Sequence, residues 1–158
     1  MVSWSELEQQ CPELANLAKE RFAATEFVYL GTLRKNGFPR ISPVEFAHWE
    51  GEFLIGGIWQ SKKMLDLLRD PRCVVHSATT NKNGQEGDVK LYGRATPLAP
   101  ARESAYWKFI LDTMGFDPGG PAHALTVDFE SGSYVRFTPE GEMHMLRWPG
   151  GGWTKKKT

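Results

Sequence analysis

The sequence is poor in cysteine, and it has no excess of one charge. Its two cysteines, Cys11 and Cys73, lie far apart and belong to no CxxC or Cys/His spacing. This argues against a disulfide scaffold and against a zinc site. The 19 basic residues equal the 19 acidic residues, so no overall field draws the chain to nucleic acid or to an anionic membrane. Any anion site must therefore be local.

The chain also lacks a long apolar run, since no stretch reaches the roughly 18 residues that a transmembrane helix needs. The first ten residues, MVSWSELEQQ, do not pair a basic segment with an apolar one as a signal peptide does. These absences predict a soluble, cytoplasmic protein. At 158 residues with 41% apolar composition, the chain can bury one substantial core. We expect one domain over residues 1–148 and a flexible, basic tail over 149–158.

Several catalytic and nucleotide-binding motifs are missing. The sequence has no GxGxxG after a strand, no GxxxxGK[ST], no GxSxG and no HExxH. The four histidines lie far apart, and each is predicted to be a structural polar residue; no metal site is expected. His76 and His123 remain secondary candidates for a polar group near a flavin or haem, because histidine is common in acid–base chemistry.

A strand meander occupies the first half of the chain. Residues Glu26–Leu33 are rich in β-branched and aromatic side chains and predict a strand. Asn36-Gly37 then favours a type I′ hairpin, in which both residues take positive φ, and a second strand is predicted over Phe38–Ala47. Pro43 lies within it and cannot donate to a ladder, which places that strand at an edge or next to a bulge.

The remaining elements follow from apolar periodicity and from breakers. The three successive strands favour a barrel or a curled sheet. The other predicted elements begin with two helices within residues 3–23, with a capping box at Ser5 and Glu8, and a strand at Glu52–Gly57. A helix at Ser61–Asp70, with Met64, Leu65 and Leu68 on its apolar face, is followed by a strand at Arg72–Ser77 and a polar loop at 79–87. The remaining ones are a strand at Asp88–Leu98 with a bend or bulge at Gly93, a helix at Pro100–Met114, and strands at Ala124–Phe129, Ser133–Phe137 and Glu142–Arg147.

The start of the helix after the meander has the composition of an anion site. A helix N-terminus exposes unpaired N–H groups and the positive end of the helix dipole. Here it also carries the Ser61 hydroxyl and the ammonium groups of Lys62 and Lys63. Arg40 on the second strand is a further candidate. Taken singly, an exposed strand arginine and a capped helix with solvated lysines would need no ligand to explain them.

The order of these parts resembles that of a known family. From Leu33 to Ser77 the chain has a strand, an NG turn, a strand with P-R-x-S, a turn, a strand with G-G, and S-K-K opening a helix that ends in D-P-R. This order resembles the FMN-binding split-barrel superfamily, whose named member is pyridoxamine 5′-phosphate oxidase. DVKLYGRATPL supports the resemblance, which covers roughly 12–148. It implies a mainly β fold with flanking helices, a split β-barrel of the antiparallel Greek-key type.

The resemblance also implies which residues bind the cofactor. Arg40 and the Ser-Lys-Lys cluster would bind the FMN phosphate, the residues just before the cluster would face the flavin ring and ribityl chain, and Trp148 would cover the flavin edge or else be a packed aromatic. Ser42 shares a strand face with Arg40. The implied cofactor-binding residues are Arg40, Ser42, Gly57, Ile58, Trp59, Gln60, Ser61, Lys62, Lys63 and Trp148.

Two departures from the oxidase pattern concern the substrate. Glu45 stands where the oxidase has a second lysine that serves FMN, and a carboxylate there would repel a phosphate. The C-terminal segment MLRWPGGGW replaces the substrate-binding groups of the oxidase. The resemblance therefore implies a substrate other than pyridoxamine phosphate, with the ending closer to bacterial members of the superfamily that have not been characterised.

The resemblance leaves several functions open. The first is an FMN-dependent oxidoreductase that transfers a hydride between the flavin and an unidentified small molecule, with Lys63 as the candidate to stabilise the reduced ring. The alternatives are a reductase of the same fold that uses the deazaflavin coenzyme F-420, and a non-catalytic protein that binds flavin or haem. Members of this family are homodimers with cofactor sites at the interface. We therefore expect a homodimer, a small-molecule substrate, and no nucleic acid or membrane partner.

Overall fold

The computed structural model describes residues 1–158, with four helices and nine strands. The helices are α1 (Trp4–Gln10), α2 (Pro12–Ala23), α3 (Lys62–Arg69) and α4 (Pro100–Met114). The strands are β1 (Val28–Leu33), β2 (Pro39–Val44), β3 (Phe46–Trp49), β4 (Glu52–Ile58), β5 (Arg72–Ser77), β6 (Asp88–Pro97), β7 (Ala122–Phe137), β8 (Glu142–Trp148) and β9 (Gly152–Lys157). None of the helices has both the length and the apolarity needed to cross a bilayer.

The N-terminal helices divide at Pro12, as predicted, because proline suits the first turn of α2. The capping box at the start of α1 was predicted two residues too late. It is formed by Ser3 and Glu6: the Ser3 hydroxyl accepts from the Glu6 N–H, and the Glu6 carboxylate accepts from the Ser3 N–H at 2.7 Å. The helix begins early because Trp4 is buried in the core, with 2% of its surface exposed.

The hairpin between β1 and β2 differs in type from the prediction. Only Gly37 has a positive φ, at 83°, and Asn36 does not. The turn starts earlier, where the Arg34 carbonyl accepts from the Gly37 N–H at 2.9 Å. Asn36 instead uses its side chain, whose Oδ1 accepts from the Phe38 N–H at 3.2 Å. The prediction of a type I′ turn was therefore wrong. The structure has a longer turn with one left-handed glycine.

The sheet rolls into a split barrel, which confirms the predicted fold class. The hydrogen-bonded order is β2-β1-β5-β6-β7-β4-β3, so β2 and β3 are the two edges of that path. Only Glu45 separates these strands in sequence. The two edges must therefore lie close together, although no ladder joins β2 to β3. The edge position of β2 also confirms the prediction from Pro43.

The strand β7 is one long element where the sequence predicted two. Its register against β6 shifts between Tyr92 and Gly93, which pair with Ser131 and Phe129, so Glu130 is the extra residue of a bulge. The bend or bulge expected at Gly93 coincides with this register shift, although the extra residue belongs to β7. This bulge lets β7 continue, so that its first half pairs with β4 and its second half with β8.

The C-terminal segment also differs from the prediction. The residues of 149–158 were expected to form a flexible tail, yet 152–157 form β9, which pairs with β8 over Gly152–Lys157. Every side chain of β9 is exposed. The Trp153 indole N–H donates to the Glu13 carboxylate at 2.8 Å, which ties β9 to α2. An exposed, basic strand has no apolar alternation by which a sequence could reveal it.

The main core fills the barrel beneath α1 and α2. Its largest fully buried side chains include Trp4, Phe22, Phe53 and Phe129. A smaller cluster lies outside the barrel, where Tyr106 and Ile110 of α4 cover β3, β4 and the start of β7. Both packed layers leave the end of β4 and the start of α3 accessible, and the candidate site lies there.

Candidate functional site

The junction between β4 and α3 is a tight, strained turn. The Ser61 N–H donates to the Ile58 carbonyl at 3.0 Å, and Gln60 has a φ of 59°, which a non-glycine residue rarely adopts. The Gln60 N–H donates to His123 Nε2 at 3.2 Å, and the Trp59 ring stacks on the His123 ring with centroids 4.5 Å apart. These contacts hold the turn, so that Lys62 and Lys63 point into two different clefts.

Lys63 lines the first cleft, which we call the apolar cleft, with a volume of about 340 Å³. Its walls come from the corner between β2 and β3, the end of β4, the inner side of α4 and the segment 116–122. Its lining includes Pro43, Phe46, Gly56, Gly57, Tyr106 and Trp107. Apart from Lys63, Glu45 is the only charged residue in its lining. The cleft is therefore suited to a flat, largely apolar ligand that meets one cation and one carboxylate.

Glycine stands at Gly56 and at Gly57, on the floor of the apolar cleft, for different structural reasons. A side chain at Gly57 would collide with Met64 of α3, so glycine there allows α3 to pack against β4. A Cβ at Gly56 would lie 3.5 Å from the Trp107 ring, an ordinary contact. The Gly57 position is thus explained by helix packing. Because successive side chains of a strand point to opposite faces, it is Gly56 that leaves the end of β4 flat on the side facing the cleft.

Lys62 lines the second cleft, which we call the cationic cleft, with a volume of about 600 Å³ and a wide opening. Five cationic side chains line it, namely those of Arg34, Lys35, Arg40, Lys62 and Arg69. Asp66 is its only acidic residue. Of the five cations, Arg34, Lys35 and Lys62 form no ion pair within the chain. The cleft is therefore suited to an anion.

Asp66 is buried beneath this cleft, with 3% of its surface exposed. Its carboxylate accepts from Arg40 Nε at 2.6 Å, from Arg69 Nη2 at 3.2 Å and from the Thr32 hydroxyl at 3.1 Å. Burial alone would raise the pKa of Asp66, but these three hydrogen bonds lower it below its usual value. Asp66 is thus a charged anchor that fixes the Arg40 side chain.

Arg40, predicted to bind the phosphate, therefore already has a carboxylate partner. The bond to Asp66 uses only Nε, and the guanidinium has five N–H donors in total. The remaining donors lie at the cationic cleft, and 21% of the side chain is exposed. Arg40 can consequently hold Asp66 and a ligand oxygen together.

Ser61 caps α3 in an unusual way. It is the N-cap residue with extended backbone angles, but its hydroxyl makes no capping hydrogen bond. The Ser61 Oγ is buried and has no hydrogen-bond partner within the chain. A buried hydroxyl without a partner costs free energy, so this oxygen is available to a ligand at the start of α3.

The structure brings most, but not all, of the predicted site residues together. Gly57, Ile58, Trp59 and Lys63 line the apolar cleft, while Arg40 and Lys62 line the cationic cleft. Gln60 and Ser61 lie in the turn between the two. The other two residues lie elsewhere: Ser42 faces inward on β2 opposite Leu30, and Trp148 is packed in the main core with 8% of its surface exposed. Neither lines either cleft, so a cofactor contact for them stays a prediction.

Sequence reasoning missed several residues of the site. Asp66 was missed because a single aspartate in a short helix looks solvated; the buried side of α3 is Met64, Asp66 and Leu67, whereas the predicted Leu65 and Leu68 are 39% and 47% exposed. Tyr106 and Trp107 were not predicted to line the site. The position of their helix, α4, opposite the end of β4 depends on long-range pairing, which the sequence does not display.

Comparisons with known proteins agree with this fold. A family profile described as pyridoxamine 5′-phosphate oxidase matches residues 14–136. No curated protein sequence matches the chain significantly.

Three solved structures are similar to this chain. PhzG from Burkholderia lata 383, solved with tetrahydrophenazine-1-carboxylic acid, is 12% identical with a TM-score of 0.66, over 96% of this chain and 95% of PhzG. ChuZ from Campylobacter jejuni is 16% identical with a TM-score of 0.69, over 92% of this chain and 63% of ChuZ. A haem-binding protein from Mycobacterium smegmatis is 16% identical with a TM-score of 0.62, over 92% of this chain and 58% of that protein.

Similarity at these identities supports the fold alone, whereas the profile covers most of the chain. The split barrel and the matched profile lead to one conclusion. The chain belongs to the pyridoxamine 5′-phosphate oxidase-like split-barrel superfamily.

Proposed function

We propose that the protein binds FMN and is an oxidoreductase acting on a small molecule. One observation carries the proposal: an apolar cleft and a cationic cleft meet at the N-terminus of α3, where the Ser61 hydroxyl lacks a partner. FMN has the same two-part character, with a flat ring system at one end and a phosphate at the other. No single feature of the site favours this ligand as strongly as the arrangement of the two clefts.

The phosphate end fits the cationic cleft. Lys62 would meet the phosphate as a free cation, and the Ser61 hydroxyl and the unpaired N–H groups of the first turn of α3 would donate to its oxygens. Arg40 would add its remaining guanidinium donors, held in place by Asp66. This part of the site is largely preformed, because Asp66 is buried and fully bonded.

The ring end fits the apolar cleft. Phe46, Tyr106 and Trp107 give the cleft aromatic walls, and Gly56 keeps the strand beneath it flat. FMN bound there supplies hydride-transfer chemistry, and the protein contributes orientation, exclusion of water and charge. Lys63, as the only cation in this lining, would stabilise negative charge on the ring.

A second copy of the chain would complete the site. On the outer face of the sheet, Ile41, Gly31, Val74 and Tyr92 are aligned in one row by the pairing of β2, β1, β5 and β6. Ile41 and Tyr92 in this row are 73% and 46% exposed. Apolar side chains in such a row favour contact with another apolar surface. We therefore propose a homodimer whose interface uses this face and borders the apolar cleft at Pro43.

Two other ligands compete with FMN in this proposal. The deazaflavin coenzyme would occupy the same two clefts, so the geometry does not separate it from FMN. Haem is suggested by the haem-binding relative from Mycobacterium smegmatis, of which the chain covers only 58%. His123 is the histidine nearest the cleft, but its Nε2 already accepts from Gln60. This favours a flavin over haem.

The test is a binding titration with the purified protein. We expect FMN to bind with quenching of its fluorescence, riboflavin to bind much more weakly because it lacks the phosphate, and haemin to give no Soret shift. A protein that binds none of these, or that turns over no electron donor with FMN bound, would contradict the proposal. Titration with the deazaflavin coenzyme decides between the two flavins.

The phosphate assignment is tested with the variant Lys62→Gln, which removes a cation from the cationic cleft and leaves Lys63 in place. A charge-assisted hydrogen bond is worth about 1.5–3 kcal/mol, so FMN affinity should fall by about tenfold or more. Riboflavin affinity should change little. The control is Lys82→Gln, which removes a cation from the exposed loop 79–87 and touches neither cleft. Equal losses for FMN and riboflavin would refute the assignment.

A further inference from the structure

A third cleft, which we call the tryptophan cleft, lies next to the apolar cleft. It has a volume of about 430 Å³ and shares Trp59, Trp107, Pro121 and Ala122 with the apolar cleft. Its other walls include Glu103 of α4 and Leu68 of α3. The two tryptophans thus border two separate spaces, and only the apolar cleft takes part in the proposed flavin site.

Glu103 is the only residue with a formal charge in the lining of the tryptophan cleft. It is half-buried, and no ion pair or hydrogen bond of its carboxylate occurs within the chain. Its neighbours on α4 are paired: Arg102 bonds Glu50 and Glu52 at 2.7 Å, and Lys108 bonds Asp112 at 2.6 Å. A carboxylate partly withdrawn from water gains from a cationic partner.

The aromatic groups of this cleft are fixed in place. Trp59 is 50% exposed, and its ring stacks on His123 with an interplanar angle of 14°. His123 accepts from Gln60 through Nε2, so this nitrogen carries no proton and the ring is neutral. It therefore provides no counter-ion for Glu103. Trp107 follows Glu103 by four residues on α4, which places both on one side of the helix.

We propose that the tryptophan cleft binds a flat organic cation. Its positive charge would meet the Glu103 carboxylate, and its body would lie against the Trp59 and Trp107 rings. Tryptophan is the aromatic residue that attracts cations best, because its ring face is negative. An unpaired carboxylate beside two tryptophans, with no cation in the lining, thus selects a cation over a neutral or anionic molecule. The cleft adjoins the proposed flavin site and shares Trp59 and Trp107 with it, but the binding of a cation can be tested without flavin.

The test compares two flat probes of similar size by isothermal titration calorimetry. The cation is 1-methylnicotinamide, and the neutral probe is nicotinamide. We expect the full-length protein to bind the cation about tenfold or more tightly than the neutral probe. Glu103→Gln should reduce this preference to about twofold or less. Binding of both probes with equal affinity to the unmodified protein would overturn the proposal.

Two further variants show whether the cation preference comes from the cleft itself, from general charge effects or from damage to the fold. Asp112→Asn removes one negative charge from the same helix outside the cleft, so it should keep the preference; an equal loss in this variant would overturn the proposal. Trp59→Leu keeps an exposed apolar side chain and removes the ring. It should lose most of the preference with an unchanged circular dichroism spectrum, and retention of the full preference would also contradict the site.

Discussion

At the scale of single residues, the site depends on a charge that faces inward. Asp66 lies beneath five cationic side chains and holds Arg40 at 2.6 Å. Without this carboxylate, Arg40 would be pushed outward by its cationic neighbours. The same carboxylate also weakens the attraction of the cleft for an anion. Asp66 therefore fixes the position of Arg40 but lowers the affinity of the cationic cleft for a phosphate.

Asp66→Asn should separate these two effects. The amide keeps the shape of the side chain and can still accept from Thr32, but it leaves the half-buried Arg40 without its counter-ion. Because breaking a buried ion pair is costly, we expect the free energy of unfolding to fall by about 2–4 kcal/mol. FMN affinity should rise by about fivefold, since one negative charge is removed from beneath the phosphate.

Urea unfolding and FMN titration measure the two changes. The matched control is Asp70→Asn at the end of the same helix, where the aspartate pairs with Arg72 on the surface. This control should change neither quantity appreciably. A rise in stability together with a loss of FMN affinity in Asp66→Asn would show that Asp66 has a different role.

At the scale of elements, α1 is seated on the β3–β4 hairpin. The Ser5 N–H donates to the Gly51 carbonyl at 2.8 Å, at a turn where Glu50 and Gly51 both have positive φ. His48 of β3 lies beneath this contact, with its ring 4.4 Å from that of Trp4. Both nitrogens of His48 are buried without a hydrogen-bond partner. The packing of α1 on the hairpin therefore requires a neutral His48.

This packing should make stability depend on pH. Burial lowers the pKa of His48 from 6.5 to about 4, although the Glu8 carboxylate opposes the shift. The unfolded chain takes up the proton near pH 6.5 and the folded chain only near pH 4. Stability is therefore lost as the pH falls through this window. The free energy of unfolding should fall by about 2–3 kcal/mol across this pH window.

The variant His48→Leu should remove that dependence. Its free energy of unfolding, measured by urea titration at several pH values, should fall less than that of the unmodified protein between pH 6.5 and pH 4. The carboxylates titrate in both proteins, so the difference isolates His48. The control is His144→Leu, in which the lost histidine is paired with Glu142 on β8. Identical pH profiles for His48→Leu and the unmodified protein would contradict the packing argument.

Local signals in the sequence predicted most elements, and long-range pairing decided the others. Arg72–Ser77 and Pro100–Met114 have the predicted bounds, because proline breakers and apolar periodicity mark them. The polar segment around Glu130 looks like a turn, yet pairing with β6 and β8 keeps β7 continuous through a bulge. The strand β9 carries no apolar pattern; it forms by pairing with the edge of β8 and is held to α2 through Trp153.

The residues of the candidate site also fall into those that local sequence signals predict and those that depend on long-range contacts. Ser61, Lys62 and Lys63 could be predicted because the start of a helix is a local feature with a known affinity for anions. Asp66 and Trp107 could not, since their importance comes from partners far away in sequence, such as Thr32, Arg40 and Gly56.

At the scale of the whole molecule, the split barrel exposes one apolar face. One row of paired residues across this face contains Ile41 of β2 and Tyr92 of β6, both exposed. Tyr29, in the next row, is 39% exposed. In the adjoining row, Tyr29 pairs with Pro43, which borders the apolar cleft. A partner on this face would therefore also cover one side of the proposed flavin ring site. Oligomeric state and cofactor affinity should then change together.

Ile41→Asp tests this link, because it places a carboxylate in the proposed interface without disturbing the core; the side chain is 73% exposed. We expect light scattering coupled to size-exclusion chromatography to find a dimer for the unmodified protein and a monomer for the variant, since a stable interface tolerates an unpaired buried charge poorly. FMN affinity should fall in the same variant, because the apolar cleft loses its cover. Leu111→Glu on α4 makes the same type of change at a side chain that is 47% exposed on another surface, and it should stay dimeric with full affinity. A monomeric unmodified protein, or a dimeric Ile41→Asp variant, would place the interface elsewhere or remove it.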